Sequence, residues 1–228
     1  MIFAKKIWLI RHGQSMGNVA RHEAEKYSAL KIESPHREPD VELSAIGVVQ
    51  SKKLGKWFAK QPVKPNIIYS SPYVRAQETT QILFEKAKFS HNEVILKKDE
   101  RLREREFGVF DCLTKEGAIL KFPELCELRE RWGKFYFRPP SGESWTDVIF
   151  RLRSFIETDL VKLNGENVVI ITHEVVIRCF RYILEDFTES EILAIDAASD
   201  VENGAITSYQ FDPKQKKLIL DLDNYLPE

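Results

Sequence analysis

Three observations predict an α/β fold with a mostly parallel sheet held between helical layers. Near-continuous apolar runs, of which Asn167-Val-Val-Ile-Ile-Thr172 is the clearest, suit interior strands covered on both faces. Apolar residues at helical spacing fill the intervals between these runs. Strands and helices alternate along the chain, the order that produces crossover connections and parallel neighbours. No repeat, low-complexity tract or Gly/Ser linker divides the sequence, so residues 1–228 are expected to form one domain with a sizeable core.

The first strand is expected at about 5–11, where Ile7-Trp-Leu-Ile10 runs directly into Arg11-His12-Gly13. Ser44 can cap a helix reaching about Lys60, with Ile46, Val49, Leu54, Trp57 and Phe58 as its apolar stripe. A strand at about 66–70 leads to Ser71 and Pro72, which read as the cap and first-turn proline of a helix to about Ala87. Another strand signal lies at about 93–97. Residues 112–143 differ in character: Phe122-Pro-Glu, an arginine-rich stretch and Pro139-Pro140 read as a helical insertion of one or two helices. Ser144 with Asp147 resembles a capping box and opens the clearest helix, where Val148, Ile149, Leu152, Phe155, Ile156, Leu160 and Leu163 recur at helical spacing. The 167–172 strand is followed by a helix at about 175–184. Two last strands, at about 204–211 and 217–222, can pair as a hairpin through Asp212-Pro-Lys-Gln215.

Composition narrows the function. With 43% hydrophobic and 30% charged residues and a net charge of −1, the chain has the make-up of an ordinary globular protein. No global field favours nucleic acid or an anionic membrane, so any phosphate must be held by local arginines. Cys112, Cys126 and Cys179 form no Cys-x-x-Cys pair and read as reduced thiols rather than a zinc site. Lys5 and Lys6 interrupt the only early apolar run, which argues against a signal peptide, and no stretch approaches a membrane span. A cytoplasmic location is the expectation.

The end of the first strand is the most informative place. It delivers Arg11 and His12 into a loop, a common position for chemistry in an α/β fold. An imidazole beside a guanidinium suits attack on phosphorus, with the guanidinium holding the anionic oxygens, and Gly13 permits a tight turn and close approach of backbone to a ligand. Arg75, in the first turn after Ser70-Ser-Pro-Tyr-Val, combines a cation with a helix N-terminus and would attract an anion. Further on stand Glu104 and Glu106 in an Arg/Glu-rich stretch, and His173 directly after the apolar strand that ends at Thr172. Two strands ending side by side in a parallel sheet would bring His12 and His173 together.

The pattern Arg11-His12-Gly13-x-Ser15-x-x-Asn18 resembles the signature of the histidine phosphatase superfamily. Ser70-Ser-Pro-x-x-Arg75-Ala-x-x-Thr79, Leu102-x-Glu104-x-x-Phe107-Gly108, Leu43-Ser44-x-x-Gly47-x-x-Gln50, Gly142-Glu-Ser144 and Asn203-Gly204 resemble further blocks of that family, so the likeness covers nearly the whole chain. It implies a three-layer α/β/α sandwich with a mostly parallel central sheet and a helical insertion near the active site. It also implies His12 as nucleophile, Glu104 as proton donor, His173 as a catalytic partner that stabilises the transferring group, and Arg11, Arg75 and Asn18 as substrate-binding residues. Charge pattern alone does not separate Glu104 from Glu106; the spacing to Phe107-Gly108 decides for Glu104. Arg178 echoes a family arginine and is taken as structural.

Two departures stand out. Glu174 follows His173 where the family usually has glycine, and Cys112 sits where a glycine is common. The segment Val19–Tyr27 lacks the Thr-Gly pair of phosphoglycerate mutases, and the insertion lacks a Glu-Arg-Arg-Ser-Tyr segment, so water is the expected acceptor. The expected function is thus a metal-independent phosphomonoesterase without cofactor, acting on a small phosphorylated metabolite or a phosphoprotein. The alternatives are a mutase-type phosphotransferase and a weakly active phospho-ligand-binding protein, the latter supported only by Glu174. Specificity is expected to lie in 19–42 and 112–143. His22, His36 and His91 read as surface residues, with His36-Arg37 a candidate for the pocket entrance. Arg129, Arg131 and Arg138 are either contacts for an acidic substrate or a solvated helix face.

Overall fold

A computed structural model describes residues 4–34, 36–163 and 165–228. Six strands, β1 (Lys6–Arg11), β2 (Ile67–Ser70), β3 (Ile95–Lys98), β4 (Asn167–Thr172), β5 (Ile206–Asp212) and β6 (Lys217–Tyr225), form one sheet in the order β3-β2-β4-β1-β5-β6. The first four are parallel, and β5 and β6 add an antiparallel hairpin at one edge. The hairpin turn is set by Asp212, whose carboxylate accepts from Lys214 N at 2.7 Å.

Alternation along the central strands separates two cores. Ile7, Leu9, Val168 and Ile170 face one layer with Val148, Leu152 and Phe155 of α6 (Trp145–Thr158) and Ile177 and Phe180 of α7 (Glu174–Leu184). Trp8, Ile10, Val169 and Ile171 face the other, with Leu54 and Phe58 of α2 (Ala45–Lys60) and Leu83 and Phe84 of α3 (Val74–Ala87). Both faces are covered, which is why these strands read as unbroken apolar runs. The Ser144–Asp147 capping box is present as expected.

Several expectations are corrected. Ile46 and Val49 do not face the core; they are 57% and 52% exposed. The buried face of α2 instead carries Gly47, Ser51, Leu54, Gly55 and Phe58. Small residues are required there because a Cβ at Gly55 would come within 2.7 Å of the Leu83 carbonyl oxygen of α3. Helix α3 starts at Val74 rather than at Pro72, and α6 ends at Thr158, with Leu160 buried from a short 3-10 turn beyond it.

Two helices have no counterpart in the sequence reading: α1 (Met16–Lys26) and α8 (Glu189–Ala198). Each buries a single residue, Ala24 and Ile192 respectively, so neither carries an apolar stripe to read. The 112–143 segment holds two helices, α4 (Lys115–Lys121) and α5 (Pro123–Tyr136). No helix among the described residues is long and apolar enough to cross a membrane.

Candidate active site

The parallel register of β1 and β4 builds the centre of the site. Arg11 is paired with Thr172, so His12 and His173 leave the sheet side by side, and His12 N donates to Thr172 O at 3.0 Å. Both imidazoles are buried, with ring centroids 5.0 Å apart at 63°. The next strand, β2, ends beside them. Ser71 N donates to Ile171 O, and Ser71 Oγ lies 2.7 Å from His173 Nε2. The hydroxyl expected to cap α3 is therefore engaged with the second histidine, and Tyr73 takes the cap position. One turn later Arg75, itself buried, places Nε 3.1 Å from His12 Nε2.

His12 is fixed in one tautomer. Its Nδ1 lies 2.7 Å from the Gly13 carbonyl oxygen, which can only accept, so Nδ1 carries the proton. Its Nε2 faces Arg75 Nε, which can only donate, so Nε2 presents a lone pair. Burial, then the Arg75 and Arg11 charges, push the His12 pKa well below its usual 6.5 and keep the ring neutral. Burial and the nearby Arg75 and His12 do the same to His173. His173 Nδ1 is buried with no hydrogen-bond partner among the described residues.

These groups adjoin a pocket of about 340 Å³ lined by Arg11, His12, Asn18, Arg75, Glu104 and Glu174, among others. Glu104 accepts from Arg105 N at 2.8 Å, but burial outweighs that bond and raises its pKa above the usual 4.5. Glu106 is excluded from the pocket wall; it accepts from Tyr73 Oη at 2.9 Å. The structure thus separates two carboxylates that charge pattern left equivalent. The loop bearing Glu104 is held by Glu143, which meets Arg103 at 2.7 Å, Arg151 at 3.0 Å and Glu106 N at 3.1 Å.

Asn18 lines the pocket but is first a capping residue. Its Oδ1 accepts from Ser15 N at 3.0 Å, from Ser15 Oγ and from Asn203 Nδ2, completing a capping box at the start of α1. Its amide nitrogen is the group left for an anion. Gly13 also differs from expectation: the close approach it permits is to backbone, not ligand. A Cβ there would come within 2.5 Å of the Gly47 carbonyl oxygen, so the two glycines let the loop after β1 press against the start of α2.

A model of the histidine phosphatase superfamily, branch 1, matches residues 7–223. The chain belongs to this superfamily. Among curated relatives, the 2,3-bisphosphoglycerate-dependent phosphoglycerate mutase of Rhizobium meliloti is 31% identical over 196 residues, covering 85% of each chain. Among solved structures, the alpha-ribazole phosphatase from Shigella flexneri superposes with a TM-score of 0.74 at 20% identity, covering 96% of each chain. The mycobacterial glucosyl-3-phosphoglycerate phosphatase, solved with inorganic phosphate, gives 0.70 at 22% identity, covering 97% of this chain and 98% of that one. At such identities these two likenesses establish the fold.

Within this superfamily member, both departures from the family pattern have a place in the structure. Cys112 adopts φ 56°, the left-handed region that favours glycine. Glu174 turns inward: its carboxylate pairs with Arg11 Nη1 at 3.0 Å and accepts from Val201 N at 3.3 Å. Arg75 is paired in the same way, with Glu38 Oε1 at 2.7 Å from Nη2 and the Glu38 carbonyl at 2.7 Å from Nη1. Glu38 carries no sequence signal, since its partner lies 37 residues away. It lines the pocket with Ser34, whereas His36 and Arg37 pair with Glu42 and Asp40 and stay outside it. Arg178 is structural, as expected, donating to Ser199 O, and Arg138 pairs with Asp147.

The Glu38 carboxylate and carbonyl together take both Nη atoms of Arg75. The carboxylate is 40% exposed, so the pair is worth no more than about 1 kcal/mol after solvent screening. Glu38→Gln is expected to tighten inorganic phosphate binding up to about fivefold by titration calorimetry. Unchanged or weaker binding would show that Glu38 orients Arg75 rather than competing for it.

Proposed function

We propose that the protein is a metal-independent phosphomonoesterase working through a phosphohistidine at His12. The observation that carries this reading is the tautomer of His12: a neutral imidazole whose unprotonated Nε2 accepts from Arg75 Nε, a bond that Arg75 exchanges for a phosphoryl oxygen when Nε2 attacks. In the first step Nε2 attacks phosphorus, the P–O bond to the leaving group breaks, and the leaving oxygen takes the Glu104 proton. The phosphorylated ring keeps its Nδ1–H, and the positive charge it gains is shared with the Gly13 carbonyl oxygen. In the second step water attacks phosphorus, Glu104 takes the proton from that water, and the P–N bond breaks to return neutral His12. Arg11, Arg75 and His173 meet the charge on the phosphoryl oxygens throughout, and that is the ground for proposing turnover without a metal ion. The substrate class proposed is a small phosphorylated metabolite or phosphoprotein, with no nucleic acid or membrane partner.

The mutase relatives favour a second reading, in which the phosphoryl group passes from His12 to an acceptor hydroxyl instead of water. The two are separated by release of free phosphate from an aryl phosphate in excess chelator. The phosphatase reading expects turnover that survives chelation and is lost in His12→Ala. Acceptor-dependent transfer with little net phosphate would support the mutase, and turnover unchanged in His12→Ala would remove the mechanism.

The pH profile follows from the two shifted groups. His12 must be neutral, so activity falls as pH drops through its lowered pKa. Glu104 must be protonated, so activity falls as pH rises through its raised pKa. Glu104→Gln is expected to lose about 10²–10⁴-fold in kcat and to lose the alkaline limb with it. An alkaline limb that persists in the variant would assign it to another group.

A further inference from the structure

Ser71 is fully buried, and its hydroxyl makes two contacts among the described residues. The oxygen accepts from Tyr73 N at 3.3 Å, and it lies 2.7 Å from His173 Nε2. The first contact uses a lone pair and leaves the hydroxyl proton to be placed. Among the described residues, His173 Nε2 is the one acceptor within its reach. If Nε2 carried a proton, two donors would meet the Ser71 oxygen, and the hydroxyl proton would be buried without an acceptor, which is costly. The hydroxyl therefore donates to Nε2. Burial and the nearby Arg75 keep the ring uncharged, so its single proton stands on Nδ1.

Both partners are held in place. Ser71 N donates to Ile171 O at 2.9 Å, and Gln77 Nε2 donates to Ser71 O, so the serine backbone is tied on both sides. The His173 ring is wedged between His12 and Tyr73, with ring centroids 5.0 Å and 5.1 Å away at 63° and 68°. Tyr73 is itself fixed by the bond from its Oη to Glu106 at 2.9 Å. His173 Nδ1 has no partner among the described residues, so the proton it carries is a buried donor without an acceptor. An anionic oxygen would satisfy it.

We propose that Ser71 is a positioning residue: its hydroxyl fixes the His173 proton on Nδ1, so that the ring presents a hydrogen-bond donor to a phosphoryl oxygen. His12 and His173 then carry their protons on the same ring atom and work from opposite ends. His12 attacks through its unprotonated Nε2, and His173 donates from Nδ1. Without the hydroxyl, Nε2 is free to take the proton, and the lone pair left on Nδ1 would repel an anionic oxygen. The inference rests on the phosphohistidine reading above and adds to it the residue that makes His173 a donor.

The proton on His173 can be read in the ligand-free protein by two-bond ¹H–¹⁵N correlation, with its signals assigned by their loss in His173→Gln. That readout is separate from the phosphohistidine reading, which falls on turnover that survives in His12→Ala. Wild type is expected to show a protonated Nδ1 and an unprotonated Nε2 at His173. Ser71→Thr should keep that pattern, and Ser71→Ala should put the proton on Nε2. Inorganic phosphate, titrated by calorimetry, should bind about tenfold more weakly to Ser71→Ala and close to wild type in Ser71→Thr. A packing role alone would leave the proton where it was. A wild-type His173 protonated at Nε2 would overturn the proposal, a result that needs no variant of Ser71 to fold. So would a Ser71→Ala ring that keeps its Nδ1 proton, or phosphate affinity unchanged by the loss of that proton.

Discussion

His12 Nδ1 lies 2.7 Å from the carbonyl oxygen of Gly13, an atom that can only accept, and the rest of the site is arranged around that constraint. The bond holds when the His12–Gly13 peptide is fixed, and three unrelated contacts fix it. Gly13 N donates to Thr79 Oγ1 at 3.1 Å, Asn203 Nδ2 donates to His12 O at 3.0 Å, and the absence of a side chain at Gly13 lets the loop rest on Gly47. The sheet then supplies the second half of the arrangement. Parallel pairing of β1 with β4 is what sets His173 beside His12, and parallel pairing of β2 with β4 is what brings Ser71 and Arg75 to the same edge.

Charge is distributed to keep these groups ready without letting them collapse on one another. The two imidazoles stay neutral through burial and the positive neighbours Arg75 and Arg11. Glu174 pairs with Arg11 and Glu38 with Arg75, so each arginine has a carboxylate partner. Glu104 is kept apart from this exchange by its own backbone bond to Arg105 N, while Glu143 ties down the loop around it. Under the proposed function, a substrate phosphate would displace or share the carboxylates that hold Arg11 and Arg75.

Much of this was legible in the sequence because it rests on local pattern. Apolar runs marked the central strands, and the order of blocks along the chain singled out His12, Arg75, Glu104 and His173 as candidates, which the fold then places near one another. What was not legible depends on residues distant in sequence or lacking apolar character. Glu38 meets Arg75 across 37 residues, and Ser71 meets His173 across 102. The stripe of α2 was misread because Ile46 and Val49 look like core, whereas close packing against α3 demands Gly47, Ser51 and Gly55. Helices α1 and α8 rest on the surface with one buried residue each, so periodicity had nothing to register.

The central claim is that His12 is a neutral, Nδ1-protonated imidazole whose unprotonated Nε2 accepts from Arg75 Nε. Two-bond ¹H–¹⁵N correlation spectra of the ¹⁵N-histidine-labelled protein report the protonation of each ring nitrogen directly. The account predicts that the His12 signals, assigned by their loss in His12→Ala, show a protonated Nδ1 and an unprotonated Nε2 at neutral pH. They should keep that pattern below the ordinary histidine value of about 6.5. A protonated Nε2, or an imidazolium at neutral pH, would contradict it.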